Sequence, residues 1–266
     1  MLDDKPAADW AAKAIAEAND LPDGARARVI EAVKRGVPSA DAIETERAYI
    51  KAIRERVGER DLALVEQTGA RFLVDQISTE GALETLARAR SRGLEVAASV
   101  SINHLCFNEV DIGDYRTFYR LDPPLRSETD RQALIEAVRE GLIDVITSAH
   151  APAPAEDKRR PFAEAAPGAI GLETLLPAAL TLHHEDGLDL LDVLRPLTQG
   201  PAALLGLEAG ELSQGAPADL VLFDPATVTD AATFSAPIQA SRGIHAVWVN
   251  GRQVWDGERT GAERPG

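Results

Sequence analysis

The sequence has one cysteine, Cys106, among its 266 residues. A single thiol excludes an internal disulfide and any metal cluster built on cysteines, and we expect a reducing, cytoplasmic compartment. No run of about 18 consecutive apolar residues is present, so no membrane-spanning helix is predicted. The sequence begins MLDDKPAADW, which lacks the basic and then apolar layout of a signal peptide.

Basic residues are also scarce, because 28 Lys and Arg stand against 43 Asp and Glu and give a formal net charge of −15. A surface this acidic repels nucleic-acid phosphates and anionic lipid headgroups. We therefore expect neither a nucleic-acid partner nor a membrane partner. Hydrophobic residues make up 45% of the chain, which is typical of a globular protein rather than of a disordered one.

From residue 60 onward, the sequence alternates between strand and helix patterns. Apolar strand patterns lie at residues 71–77, 94–100 and 143–148, and amphipathic helix patterns separate them. Strands that are joined through helices form parallel sheets. The carboxyl-terminal edge of such a sheet is where α/β folds place their chemistry, so we look for a site there.

Several residues predict where the helices begin and end. Ser78 is predicted to cap the helix after the first strand, and Ser127 with Asp130 forms a capping arrangement for the next one. Other helices are predicted at residues 61–67, 172–182, 188–194 and 202–207. From residue 210 the pattern is all-β, and Asn250-Gly251 predicts a type I′ hairpin turn.

The third strand runs directly into a long polar loop. It ends at Ala149-His150-Ala151-Pro152-Ala153, and Lys158 and Pro161-Phe162-Ala163-Glu164-Ala165 follow in the loop. The most specific blocks are IST at 77–79, DPPLRS at 122–127, PFAEAAPGAIGLETLLP at 161–177, PAALLGL at 201–207 and GAPADLVLFD at 215–224. Together these blocks resemble the class I dihydroorotases of the amidohydrolase superfamily.

The resemblance covers residues 60–257 and implies an α/β fold, the carboxyl-terminal part of a (β/α)8 TIM-type barrel plus part of a small β-sandwich. Residues 57–207 then form the partial barrel, and residues 208–266 form the sandwich strands. Residues 1–56 are predicted to be a helical segment whose role stays open. The family's opening strands carry a His-X-His metal pair, and no His-X-His occurs in this sequence.

Family members use zinc ions to activate a water molecule, and an aspartate at the end of the last strand transfers the proton. By the resemblance, Gln76 stands at the position of a histidine ligand, and Ala149 at that of the aspartate. An amide oxygen is a poor ligand compared with imidazole, and a methyl group neither ligates a metal nor accepts a proton. We therefore expect no retained catalytic residue, no metal ligand at Gln76 and no cofactor in this chain.

The resemblance also implies vestiges of a substrate pocket. His104 keeps the second of the family's paired histidines, whereas Asn103 replaces the first. Asp122 replaces a substrate-contacting asparagine, where its charge would repel the carboxylates of dihydroorotate or carbamoyl aspartate. Pro167-Gly168 keeps a loop whose backbone contacts substrate in the family, and Ala153 replaces a substrate-contacting histidine.

Other polar residues near the strand ends have structural interpretations. His150 is expected to anchor the following loop by a hydrogen bond. Asp75 is expected to face away from Gln76, because side chains alternate along a strand. Ser148 lies two residues from His150, but no acid that would orient a nucleophilic pair is identifiable.

The remaining histidines do not predict a metal site. His104 is expected to be a buried, hydrogen-bonded loop residue. His183 and His184 suit a solvated helix carboxyl terminus, where positive charge is favourable. His245 lies inside a strand pattern and is expected to be structural.

Three hypotheses for function follow, and they leave open whether the chain is an enzyme. The first is a catalytically inactive dihydroorotase homologue that acts as an assembly or regulatory partner of aspartate transcarbamoylase, a role known for inactive dihydroorotase-like chains. The second is an active, divergent dihydroorotase or cyclic amidase that closes carbamoyl aspartate to dihydroorotate with ligands from another chain. The third is a fragment that has lost the front of the barrel.

An incomplete barrel leaves a strand edge unpaired and apolar surface exposed. We therefore expect a homo-oligomer or an obligate complex rather than a free monomer. Its contacts are expected along residues 71–76 or along the hairpin at 246–256.

Overall fold

The computed structural model describes Val29 and residues 60–232 and 238–265. The chain divides into two compact units, Met1–Leu64 and Val65–Gly266. The prediction for residues 1–56 falls outside the described residues apart from Val29. Within the described ranges, no helix combines the length and the apolar character needed to cross a membrane.

Within residues 60–232, three parallel strands form one sheet in the order β1-β2-β3, where β1 is Phe72–Val74, β2 is Val96–Ser101 and β3 is Val145–Thr147. In its register, Val74 lies beside Ala98 and Ser101 lies beside Thr147. The prediction of a parallel sheet is therefore confirmed. β1 and β3 are shorter than predicted, and β1 stops early because Asp75 and Gln76 form a turn.

The helices lie between and after these strands. They are α1 at residues 60–68, α2 at Glu80–Ser91, α3 at Ile102–Cys106, α4 at Glu128–Arg139, α5 at Ala155–Lys158, α6 at Leu175–His184, α7 at Leu190–Leu194 and α8 at Gln199–Leu205. Short 3₁₀ helices cover Glu109–Ile112, Thr117–Tyr119 and Arg195–Leu197. Helix α6 begins three residues later than predicted because residues 172–174 form a turn.

The two predicted caps have different outcomes. The Ser127 hydroxyl accepts a hydrogen bond from the Asp130 backbone N–H at 3.2 Å, which confirms the cap of α4. The Ser78 prediction is wrong, because its hydroxyl accepts from Arg126 Nε at 3.4 Å and Thr79 is the N-cap residue of α2. The Asp130 carboxylate instead accepts from the Glu80 N–H at 3.0 Å, so a neighbouring helix satisfies the first turn of α2.

The apolar core lies on the helix-covered side of the sheet. Val96, Ala98 and Val100 of β2 are at most 6% exposed, and α2 packs both on β2 and on α4. Leu86 of α2 and Leu134 of α4 are 2% and 1% exposed. Burial of one such leucine contributes roughly 1.5–3 kcal/mol, so this layer holds the parallel sheet in place.

A second sheet follows helix α8. Its described strands are β4 at Leu220–Phe223, β5 at Ile244–Val249 and β6 at Arg252–Trp255, antiparallel in the order β4-β5-β6. Asn250 and Gly251 join β5 to β6 with φ of 49° and 74°, which confirms the type I′ hairpin turn. The Trp255 indole N–H donates to the Ile244 carbonyl at 3.1 Å and ties the hairpin to the start of β5.

Candidate functional site

A cavity of about 200 Å³ lies at the carboxyl-terminal edge of the parallel sheet. Residues after all three strands contribute to its lining, which comprises Gln76, Ser101, Asn103, His104, Leu121, Asp122, Ala149, His150, Ala151 and Gly168. The sequence placed Gln76, His104, Asp122, Ala149 and Gly168 at one site, and the structure brings these five together. Pro167 and Ala153 are not part of the lining.

Sequence reasoning missed three lining residues. Ser101 was overlooked because β2 extends one residue beyond the predicted end of that strand. Leu121 and Ala151 carry no reactive group, and they were missed for that reason. Only their place in the sequence could have indicated that they line the cavity, because Leu121 is adjacent to Asp122 and Ala151 is adjacent to His150.

The two positions that would carry the family's chemistry share an unusual backbone. Gln76 and Ala149 follow β1 and β3, and their φ angles are 53° and 45°. A left-handed conformation costs a residue with a Cβ roughly 1–2 kcal/mol. Both strand ends therefore have a strained backbone, and their side chains are an amide and a methyl group.

Ser99 holds the strained turn after β1. Its side chain is 1% exposed, and its hydroxyl accepts a hydrogen bond from the Gln76 backbone N–H at 2.8 Å. The same hydroxyl donates to the Asp75 carboxylate at 2.5 Å. One buried hydroxyl on β2 thus fixes both residues of the turn.

Asp75 precedes Gln76 in the turn after β1. Its carboxylate accepts a hydrogen bond from the Ser99 hydroxyl, and Gln76 lines the cavity whereas Asp75 is not part of the lining. Strand alternation does not apply to the two residues, because β1 ends at Val74 and residues 75 and 76 form a turn. That Asp75 faces away from Gln76 therefore stays a prediction.

His104 is buried beside the cavity in the short helix α3, rather than in a loop. Ser101 begins this helix, and its hydroxyl accepts from the Asn103 backbone N–H at 3.2 Å. His104 is 3% exposed and its Nε2–H donates to the Pro124 carbonyl at 3.2 Å, so the prediction of a buried, hydrogen-bonded histidine is confirmed. Among the described residues, its Nδ1 has no hydrogen-bond partner.

The electrostatics of His104 follow from this burial. Loss of solvent lowers the pKa of the imidazole below its ordinary value, and the nearby charge of Arg126 acts in the same direction. The hydrogen bond to the Pro124 carbonyl opposes this shift without reversing it. At neutral pH the ring is therefore neutral, and the Nε2–H bond to Pro124 leaves a lone pair on Nδ1.

His150 anchors the loop after β3, as predicted. Its Nδ1 accepts hydrogen bonds from the backbone N–H groups of Gly171 and Leu172 at 3.1 and 3.4 Å. In addition, the Ala151 N–H donates to the Ala169 carbonyl at 2.8 Å. The imidazole therefore stabilises the loop, and among the described residues no hydrogen bond joins it to Ser148.

Lys158 holds the Gly168 turn of the same loop against the cavity. It is 9% exposed, and its ammonium donates to the carbonyls of Gly168 and Thr117, the latter at 3.3 Å. Burial lowers the pKa of Lys158, and the charge of Arg120 adds to the shift. Gly168 has a φ of 104°, and an added Cβ would lie 2.5 Å from the Ala151 carbonyl oxygen, so only glycine fits there.

The cavity residues do not fit the zinc ions expected of the family. The described residues contain no group of three or more His, Cys, Asp or Glu side chains that could hold a metal ion. Around the cavity, Gln76 offers an amide and Ala149 offers no donor atom. The expectation that this chain carries no cofactor stays a prediction, to be tested on the purified protein.

The other histidines lie elsewhere. His183 and His184 form the last turn of α6, as predicted, but they are not simply solvated. His183 Nδ1 lies 2.7 Å from the Leu188 carbonyl oxygen, and His184 Nε2 lies 3.0 Å from that of Pro225. His245 is an exposed residue of β5.

Known proteins are similar to this chain in sequence. Residues 82–254 match the sequence model of the amidohydrolase family. A "dihydroorotase-like protein" of Pseudomonas aeruginosa is 43% identical over 166 residues, which cover 62% of this chain and 39% of that protein. A "dihydroorotase" of Anaplasma phagocytophilum is 41% identical over 180 residues, which cover 66% and 40% of the two chains. The chain therefore matches less than half the length of these curated relatives.

The fold is also similar to solved structures. An L-hydantoinase (dihydropyrimidinase) from Arthrobacter aurescens superposes with a TM-score of 0.71 at 27% identity, over 79% of this chain and 50% of that one. A D-hydantoinase (dihydropyrimidinase) from Thermus sp. superposes with a TM-score of 0.70 at 21% identity, over 80% and 51% of the two chains. The parallel sheet and its helices thus form part of a TIM-type barrel.

Proposed function

The chain belongs to the amidohydrolase family, and we propose that it is a dihydroorotase-like member that does not catalyse the family's reaction by itself. One observation carries the proposal. The cavity keeps its frame, with strained backbone at Gln76 and Ala149, but neither side chain can perform the chemistry that the position requires. Without a proton acceptor at Ala149 and an imidazole at Gln76, the chain lacks two of the groups needed for hydrolysis of a cyclic amide.

In the cell, the chain acts as an assembly or regulatory partner of aspartate transcarbamoylase. Its described sheet offers a surface for such a contact, because β1 is an edge strand with no second strand partner among the described residues. Leu73 on this strand is 38% exposed. An exposed edge with an apolar residue favours pairing with another chain.

Light scattering coupled to size-exclusion chromatography tests this role. The purified chain and aspartate transcarbamoylase from the same cells are expected to elute together as one species. Leu73→Lys places a charge on the edge strand and is expected to weaken the complex. Leu212→Lys, at a position that is 89% exposed, is the matched control and is expected to leave it unchanged. Separate elution of the two proteins would contradict the partner role.

A second candidate is a cyclic amidohydrolase whose missing ligands come from another chain. The retained cavity favours it, because buried His104 and the Lys158-held loop still shape a pocket. Turnover assays on the unsubstituted complex and on the double variant Gln76→His with Ala149→Asp separate the two candidates. If other chains complete the site already, the unsubstituted complex hydrolyses dihydroorotate. If they do not, the unsubstituted complex shows no turnover.

A further inference from the structure

One side of the β1 backbone is available for pairing with another strand. The Phe72 N–H donates to the Glu95 carbonyl at 3.0 Å, and Phe72 lies beside Val96 of β2. Because backbone groups of successive residues point to opposite sides of a strand, the N–H and C=O of Leu73 point away from β2. Among the described residues, no strand pairs with β1 on that side.

The sequence at this edge carries opposite charges at its two ends. Residues 71–75 read Arg-Phe-Leu-Val-Asp, so a cation lies two residues before Leu73 and an anion two residues after it. Arg71, Leu73 and Asp75 are all exposed. The segment therefore complements the charges of a copy of itself that runs in the opposite direction.

The contacts of these two charged side chains leave both able to pair. Arg71 donates from Nη2 to the Leu204 carbonyl at 3.1 Å, and its Nε lies 3.9 Å from the Glu95 carboxylate. An ion pair of that length between exposed side chains contributes little, so Arg71 can exchange it for another. The Asp75 carboxylate accepts a hydrogen bond from Ser99, and a carboxylate can accept several more.

We propose that β1 pairs antiparallel with β1 of a second copy of this chain, about a twofold axis at Leu73. In this register the two Leu73 residues lie opposite each other, and Arg71 of each copy lies opposite Asp75 of the other. Two ion pairs then join the strands. A parallel copy in the same register would place like charges opposite each other, which is destabilising, so charge selects the antiparallel orientation.

The net charge of −15 opposes this association, but only over long distances. Repulsion between exposed charges is largely screened beyond about 8 Å at physiological ionic strength, and side chains directly opposite each other are closer than that. The inference goes beyond the proposed function, because it concerns the chain alone. The proposed contact with aspartate transcarbamoylase uses the same edge, so binding of that enzyme displaces the second copy.

Sedimentation velocity of the purified chain in about 0.15 M sodium chloride tests the proposal, and we expect a monomer–dimer equilibrium. Arg71→Glu and Asp75→Lys each place like charges opposite each other at two points. Each is expected to raise the dimer dissociation constant about tenfold. Arg252→Glu is the matched control, because Arg252 of β6 is 64% exposed and Arg71 is 65% exposed, and it is expected to leave the constant unchanged.

An equimolar mixture of Arg71→Glu and Asp75→Lys tests the register. In a mixed dimer each introduced charge lies opposite a charge of the other sign, so the mixture is expected to dimerise as tightly as the unsubstituted chain. Circular dichroism checks that both variants fold. If either does not, the double variant Arg71→Glu with Asp75→Lys replaces the mixture, because its own dimer restores both pairs.

Three results would overturn the proposal. The first is an unsubstituted chain that remains monomeric at about 100 μM, which needs no variant to establish. The second is equal weakening by Arg252→Glu, and the third is a mixture, or a double variant in its place, that does not regain dimerisation. Co-elution with aspartate transcarbamoylase is measured separately, so failure of this dimer and failure of the proposed function are distinguishable.

Discussion

The helix-covered face of the parallel sheet and its carboxyl-terminal edge are stabilised by different interactions. On the helix-covered side, Val100 and Leu134 are at most 1% exposed and pack in an apolar layer. At the carboxyl-terminal edge, polar contacts and left-handed residues maintain the shape, as at Gln76 and Ala149. The first region gains its stability from burial, whereas the second keeps its geometry at a local cost.

This difference shows that the frame of a site and its chemistry are held by separate residues. Ser99, His150 and Lys158 fix the turns and the loop around the cavity through hydrogen bonds to the backbone. None of these contacts requires a histidine at position 76 or an aspartate at position 149. The reactive side chains can be absent while the cavity keeps its outline.

The largest change in the free energy of unfolding is expected from a substitution on the helix-covered side of the sheet. Leu134→Ala removes a fully buried side chain and leaves a cavity, so the free energy of unfolding is expected to fall by about 2–5 kcal/mol. Urea denaturation followed by circular dichroism measures the change. Leu212→Ala, at an exposed position, serves as the control and is expected to change it by less than about 0.5 kcal/mol. Equal losses in both variants would mean that this layer does not hold the fold.

At the cavity, a substitution is expected to raise the free energy of unfolding, by less than Leu134→Ala lowers it. Ala149→Gly relieves a left-handed residue with a φ of 45° and is expected to stabilise the protein by up to about 1 kcal/mol. The same substitution at Ala137, within α4, is expected to destabilise it by about 1 kcal/mol. Denaturation of the two variants side by side makes the comparison. Destabilisation by Ala149→Gly would show that no strain is stored at this strand end.

The smallest effect concerns Glu128, at the start of α4. Hydrogen bonds from Arg131, and then from Gln132 and Asn108, lower its pKa to about 2, whereas its ordinary value is 4.5. Because the folded-state pKa is depressed, the stabilisation is present above about pH 4.5 and is lost as the pH falls towards 2. The side chain is 49% exposed, so solvent screening limits the gain to less than about 1 kcal/mol.

Glu128→Gln measures this contribution. The variant is expected to be slightly less stable than the unsubstituted chain at pH 7 and equally stable near pH 2. Glu140→Gln removes an exposed carboxylate that lacks these hydrogen bonds, and it is expected to show a smaller pH-dependent difference. A Glu128→Gln difference that is constant from pH 7 to pH 2 would rule out the carboxylate as its source.

Much of the architecture was predictable because local patterns carry it. Alternating strand and helix patterns gave the parallel sheet, and Asn250-Gly251 gave the hairpin, since few other residues adopt its turn. The membership of the cavity followed from the blocks that resemble dihydroorotases. Those blocks place Gln76, Asp122 and Ala149 at one site although they are far apart in the sequence.

The missed features depend on contacts between distant segments. The left-handed backbone at Gln76 carries no sequence signal, because Ser99 on the next strand stabilises it. For the same reason the hydrogen bond between Ser99 and Asp75 carries no sequence signal. The cap of α2 was assigned to Ser78, whereas Asp130 supplies it from another helix. Local propensity cannot reveal a partner that only the tertiary fold brings near.

The most direct test of the central claim is an activity measurement on the purified chain. Ring opening of dihydroorotate and ring closure of carbamoyl aspartate are followed with added zinc, and a complete dihydroorotase under the same conditions is the positive control. Loss of the proton-transferring residue alone typically removes about 10²–10⁴-fold in rate. We predict no turnover above the uncatalysed background; turnover by the unsubstituted chain alone would contradict the account.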